Sequence, residues 1–290
     1  MGKILEFPKG FLWGAATSAY QVEGGIENCD WAKVYPAGLA CDHYNRYEED
    51  FNLLKQLNQT AFRFSIEWSR IEPSEGNFDQ KEIEHYRNFL FALRKRGIKA
   101  MVTLHHFTTP YWMVKKGGWA NPKIIFYFKR FAKKVFKEYQ DLVDFWVLIN
   151  EPQVYALMSY LKGFWPPKKK SLFLTLKVIK NQIASHKEVY GSLHEIKPDA
   201  RIGSVESYNF FEPYNKKSFL DKLSCSLIHY FWNKYFLGRI KKYLDFVGLN
   251  YYFHNRIKFP FLRRNEKKIV SDIGWEIYPE GIYRVLKWLD

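Results

Sequence analysis

Six short apolar runs that alternate with helix-period segments predict an α/β chain of the (β/α)8 barrel type, incomplete, with about six of the eight βα units in its 290 residues. The runs are rich in β-branched and aromatic residues and almost unbroken by polar ones, as parallel strands buried on both faces are. No glycine-rich phosphate loop follows any of them, which leaves dinucleotide-binding and nucleotide-hydrolysing folds without support. The spacing is even enough to read residues 1–290 as one barrel domain.

The first strand is expected at residues 11–17. Asp42 then precedes a helix whose apolar positions are Tyr47, Phe51, Leu54 and Leu57. A second strand at 61–66 leads to Asp79, an N-cap with Glu82 three residues on, and to the stripe Ile83, Tyr86, Leu90 and Leu93, closed by Gly97. The third strand is placed at 100–104. Asn121-Pro122 is expected to open the next helix, with proline at its first position and Ile125, Phe128, Ala132, Val135, Tyr139 and Leu142 on one face. Strands at 145–149, 201–205 and 246–250 complete the six, and 278–290 reads as a helix that should lead into a seventh. The aromatic clusters around Phe126 to Phe131 and Tyr230 to Phe236 are expected in the core.

Composition narrows the function classes. Hydrophobic residues make up 47% and aromatic residues 19%, which excludes disorder and suits a heavy core or stacking surfaces for sugars. No apolar run approaches the roughly 18 residues of a membrane span, so no membrane partner is expected. The start, Met1-Gly2-Lys3-Ile4-Leu5-Glu6, is too polar for a secretion signal. Three widely spaced cysteines suit reduced thiols, so a cytoplasmic location and no metal or cofactor are expected. The net charge is +15, in clusters spread along the chain that read as solvated faces. No nucleic-acid reading module accompanies them, so no specific nucleic acid is expected, although a basic nucleic-acid or anionic-surface protein stays as the reading from a different class.

The polar residues at the strand ends form a consistent set. Ser18 to Gly24 follow the first strand, and Arg63 lies in the second. His105-His106-Phe107 end the third, Asn150-Glu151 the fourth, Glu206 to Asn209 the fifth and Asn250-Tyr251-Tyr252 the sixth. A buried strand that delivers a carboxylate at its C-terminal end places it where barrels of this type carry their chemistry. Pro152 stops the strand, so Glu151 should sit at the mouth of a pocket. Amides, imidazoles and aromatic faces beside a carboxylate suit a polyhydroxylated ring. Adjacent side chains on a strand point to opposite faces, so one of His105 and His106 is expected to be structural. Arg63 is also readable as a salt-bridge partner.

The segments 11–24, 63–70, 103–107, Asn150-Glu151-Pro152 and 248–252 resemble glycoside hydrolase family 1, the β-glucosidase and β-galactosidase family on a (β/α)8 barrel. The resemblance runs from about Phe7 to the last residue. It implies hydrolysis of terminal β-linked glycosyl residues by a retaining mechanism, with a small β-glycoside or oligosaccharide as substrate. Glu151 would be the general acid/base and Asn150 would bind the sugar 2-hydroxyl. Gln21, His106 and Asn250 would hold other hydroxyls. Tyr252 would contact the nucleophile and Arg63 would keep that nucleophile ionised. Trp275 lies in a stretch that also fits, while Phe107 stands where many members have Trp.

A retaining glycosidase needs a second carboxyl group about 5–5.5 Å from the first. In the family it is the Glu of a Thr-Glu-Asn-Gly segment, which this sequence lacks. The expectation is therefore a barrel without its C-terminal third, with activity dependent on a complementing C-terminal segment or chain. The alternative is a non-catalytic carbohydrate-binding remnant. Glu206 is the one internal candidate for the second carboxylate, and a loop Glu is the plainer reading of it.

Overall fold

The computed structural model describes residues 6–265 and 269–289. In chain order the elements run β1 (Gly14–Ala16), α1 (Ala19–Val22), α2 (His43–Gln56), β2 (Ala61–Ser65), α3 (Trp68–Ile71), α4 (Gln80–Lys95), β3 (Lys99–His105) and α5 (Tyr111–Lys115). They continue with α6 (Ile124–Tyr139), β4 (Phe145–Asn150), α7 (Pro152–Ala156), α8 (Leu172–His194), β5 (Ile202–Ser207), β6 (Phe210–Pro213) and α9 (Phe219–His229). The last are α10 (Leu237–Ile240), β7 (Phe246–Asn250), β8 (His254–Lys258), β9 (Leu262–Arg263) and α11 (Glu280–Leu289).

β1, β2, β3, β4, β5 and β7 form one six-stranded sheet in that order, and every pairing is parallel. The sheet curls through 227° into an open part-barrel flanked by helices, so β1 and β7 are its two edges. The register is Ala61↔Lys99, Val102↔Trp146, Trp146↔Ile202 and Gly203↔Phe246. It sets the C-terminal ends of β2, β3, β4, β5 and β7 along one rim. All six strands read from the apolar runs are present in the expected order.

The helix signals act as expected where a side chain can reach the first turn. Asp79 Oδ1 accepts from the backbone N–H of Lys81 and Glu82 and starts α4. Asn121-Pro122 does not open α6. Asn121 Oδ1 accepts from Lys123 N, and Ile124 N donates to the Asn121 carbonyl, so residues 121–123 close a tight turn and the helix begins at Ile124. The expected start was two residues early because an Asx turn and an N-cap use the same residue type.

The helix-to-sheet core is aromatic. Trp68 stacks on Phe131 at 4.9 Å between ring centres, and Phe136 meets Trp146 at 5.0 Å. Of the two aromatic clusters expected in the core, Phe128, Phe131 and Phe236 are buried, whereas Phe126, Tyr230 and Phe231 are exposed. The sequence reading also had no place for the second sheet, in which β8 pairs with β6 in parallel and with β9 antiparallel. Its register, Phe210↔His254 and Pro213↔Ile257, carries the β5–β7 pairing past the rim after a short break in each strand.

Candidate active site

The apolar run of β4 ends in Asn150, and the chain turns at once. Glu151 has φ 45° and ψ 57°, a left-handed conformation that non-glycine residues seldom adopt, and Pro152 follows at the first position of α7. Two bonds fix the turn. Glu151 N donates to the Val205 carbonyl at 2.7 Å, and Tyr155 N donates to the Glu151 carbonyl at 3.0 Å. The strain of this geometry is balanced by neighbours that hold the carboxyl group in one place.

Those neighbours come from four strand ends. Asn250 Nδ2 donates to Glu151 Oε1 at 2.6 Å and lies 3.4 Å from Asn150 Oδ1. Arg63 donates through a terminal nitrogen to Asn150 Oδ1 at 2.6 Å and through Nε to Thr103 Oγ1 at 3.0 Å. Asn150 Nδ2 and His106 Nε2 are 3.3 Å apart. The structure thus joins Arg63, His106, Asn150, Glu151 and Asn250 in one network, with Tyr252 close enough to influence the Glu151 carboxyl. Gln21 stands apart. It is exposed at the edge of the sheet, where its Oε1 accepts from Ser18 Oγ at 2.9 Å.

The adjacent histidines separate as strand alternation requires. His105 is buried and accepts from Trp119 Nε1 at 3.0 Å, while His106 faces Asn150. Burial keeps both rings well below the usual histidine range, His105 at about 3, so both are neutral. Sequence reasoning missed Thr103, which orients Arg63, because a lone threonine inside an apolar strand gives no signal. It also missed an aromatic run that leads outward from the network. Phe107 packs on Trp165 at 4.8 Å, and Trp165 on Trp31 at 5.3 Å.

The electrostatics set the protonation of the site. Burial raises the Glu151 carboxyl above its ordinary range, while the Asn250 hydrogen bond and the Arg63 and Tyr252 side chains pull it down by less. Burial lowers Arg63 to about 10 against the opposing charges of Glu151 and Tyr252. Arg63 makes no ion pair within 4.0 Å of a carboxylate among the described residues, so it is a half-buried cation whose hydrogen bonds are to neutral groups.

Glu206 does not join this network. It is buried in β5, where Ser204 Oγ donates to its Oε1 at 2.6 Å, and burial raises it to about 7. A carboxyl raised from about 4.5 to about 7 is protonated in both folded and unfolded chains at pH 4. As pH rises from 4.5 to 7 the unfolded chain ionises first, so Glu206 lowers stability through that window and by a constant amount above it. We predict that Glu206→Gln leaves urea stability at pH 4 within error and raises it at pH 8 by about 3 kcal/mol. An equal change at both pH values would contradict the assignment.

The comparisons with known proteins agree with this geometry. The model of "Glycosyl hydrolase family 1" matches residues 4–241, a span that includes Gln21, Arg63, His106, Asn150 and Glu151. The chain belongs to glycosyl hydrolase family 1. Beta-glucosidase A of Thermotoga maritima is 31% identical over 342 residues, covering 98% of this chain and 75% of the relative. The 1,4-beta-D-glucan glucohydrolase of Thermotoga neapolitana is 31% identical, covering 97% and 78%. Among solved structures, the beta-glucosidase from Thermotoga maritima in complex with glucoimidazole superposes with a TM-score of 0.92 at 30% identity, covering 99% of this chain and 76% of that one. The 342 aligned positions outnumber the 290 residues here, so the family relative holds segments between shared elements that this chain lacks.

Proposed function

We propose that this chain forms the acid/base half of a β-glucosidase-type site, which acts on a small β-glycoside or oligosaccharide by a retaining mechanism. Glu151 is the proton donor to the leaving-group oxygen. Its raised carboxyl suits that role, because the acid must hold a proton when the glycosidic bond breaks. Asn150, held by Arg63 and facing neutral His106, presents an oriented amide to a sugar hydroxyl. Asn250 bridges Glu151 and Asn150, which couples hydroxyl recognition to the position of the acid. Gln21, exposed and not hydrogen-bonded to the network, is assigned a sugar hydroxyl by resemblance alone.

Retention of configuration needs a second carboxylate about 5–5.5 Å from the first. Glu206 accepts from Ser204 Oγ and makes no hydrogen bond to Glu151 or Arg63, although the Glu151 charge reaches it, so it is not assigned that role. The observation that carries the proposal is Arg63. A half-buried guanidinium near Glu151 and Tyr252, whose hydrogen bonds go to the neutral Asn150 and Thr103 side chains and to no carboxylate among the described residues, is a preformed place for a second carboxylate. We assign that carboxylate to a further segment of polypeptide, in the same chain or a second one, that adds parallel strands between the β7 and β1 edges.

The test is hydrolysis of an aryl β-glucoside by residues 1–290 alone and with a supplied segment that corresponds to the uncovered part of the Thermotoga maritima relative. The proposal expects turnover to rise by several orders of magnitude on addition; no rise, with the segment bound, contradicts it. No carboxylate hydrogen-bonds to Arg63 among the described residues, and Glu206, within electrostatic reach of Glu151, is held by Ser204 instead, which favours one other reading, sugar binding without turnover. Calorimetric binding of cellobiose with no gain in hydrolysis on supplementation would select it.

A further inference from the structure

The positive charge of this chain is not spread over its surface. Residues 161–187 hold seven lysines and no acidic residue, and residues 213–244 hold seven basic residues against Asp221 alone, so the two segments carry +13 of the net +15. They fold side by side. Leu172, Leu176 and Ile179 of α8 face Ile228, Phe231 and Tyr235 across a groove of about 490 Å³. Further along, His186 Nε2 lies 2.7 Å from the Tyr243 carbonyl, and Lys187 Nζ sits over the Tyr243 ring at 5.3 Å. Two segments that meet along this groove therefore carry nearly all of the excess charge.

The helices that line the groove also expose apolar side chains. α9 is turned the opposite way to an ordinary surface helix. It buries Asp221 and Ser224 beside Cys225 and exposes Phe219, Leu220, Leu223 and Leu227. Phe173 and Phe219 are 73% and 74% exposed, at the start of α8 and α9, and each follows a lysine cluster, residues 168–170 and 216–217. Contiguous exposed apolar patches mark interaction sites. Rings and leucines that stand out between lysines, with no carboxylate exposed among them, match the face of an interfacial helix on anionic lipid. A second copy of the chain would bring two faces of like charge together, and a nucleic acid would leave the leucines in water.

We propose that the α8–α9 face docks on an anionic lipid surface, with Phe173, Leu176, Phe219 and Leu223 entering the headgroup boundary and the flanking lysines contacting lipid phosphates and carboxylates. The docking is peripheral. No helix among the described residues is long and apolar enough to cross a membrane, and the expectation of no membrane partner rested on spans alone. The proposal does not rest on the proposed sugar chemistry, although Lys168 sits over Tyr35, next to the aromatic run that leads out of the site.

Co-sedimentation with vesicles tests it, with mixed phosphatidylcholine and phosphatidylserine set against phosphatidylcholine alone. The proposal expects retention on the mixed vesicles only, lost as salt rises. Replacing Lys168, Lys169 and Lys170 together by Ala weakens retention on the order of 100-fold. Phe173→Ser weakens it about tenfold. All of these side chains are exposed, and circular dichroism confirms that the variants stay folded. No retention on the mixed vesicles, equal retention on both kinds, or a stable dimer in sedimentation with no vesicle binding would each overturn the proposal.

Discussion

With the completing segment supplied, Glu151→Gln lowers hydrolysis of alkyl β-glucosides by about 10²–10⁴-fold. Loss of a general acid is felt most where the leaving group needs a proton. The same variant therefore retains much more of its glycosylation rate on aryl glucosides with acidic phenols, whose anions leave without help. The amide keeps the shape of the side chain and an oxygen for the Asn250 bond, so cellobiose affinity changes little. Rates measured against leaving-group pKa check this directly. A parallel fall for good and poor leaving groups would make Glu151 a binding residue and remove it from the chemistry.

The second large effect concerns the fold that presents the site. Glu72 is fully buried and its carboxylate is saturated by donors. Trp68 Nε1 donates at 2.9 Å, Gly76 N donates at 2.8 Å, and Arg130 completes the set as an ion pair. Its backbone carbonyl also accepts from Trp112 Nε1 at 2.9 Å, so this residue ties the loop after β2 to α5 and α6. Glu72→Ala leaves the buried Trp68 indole N–H without an acceptor and Arg130 without its anion. It lowers stability by about 3–5 kcal/mol. Glu72→Gln restores only part of this, because its amide N–H₂ confronts a donor. A shift of the urea midpoint at constant slope, followed by tryptophan fluorescence, is the measurement. A change below about 1 kcal/mol would show that the donors find water instead.

Much of this was legible in the sequence, for reasons that differ by element. β4 was readable because a fully buried parallel strand has to be apolar throughout, and its abrupt end at Asn150-Glu151-Pro152 marks the rim. The separation of His105 from His106 follows from strand alternation alone. β6, β8 and β9 were not readable. His254-Asn255-Arg256-Ile257-Lys258 lacks an apolar face, and it becomes a strand only because β5 and β7 already lie in register beneath it. α9 shows the limit most clearly. Its Leu220, Leu223 and Leu227 recur at helical spacing, and such spacing carries no information about which side the fold turns outward.

The claim on which the account depends is that Glu151 holds its proton near the pH at which the sugar is cleaved. Carbon-13 titration of the glutamate carboxyls in residues 1–290, with the Glu151 resonance assigned by its loss in Glu151→Gln, tests this without any need for turnover. The account predicts a midpoint above the ordinary value of 4.5, rising further when Asn250→Ala removes the hydrogen bond that favours the ionised form. A midpoint at or below 4.5 would contradict it.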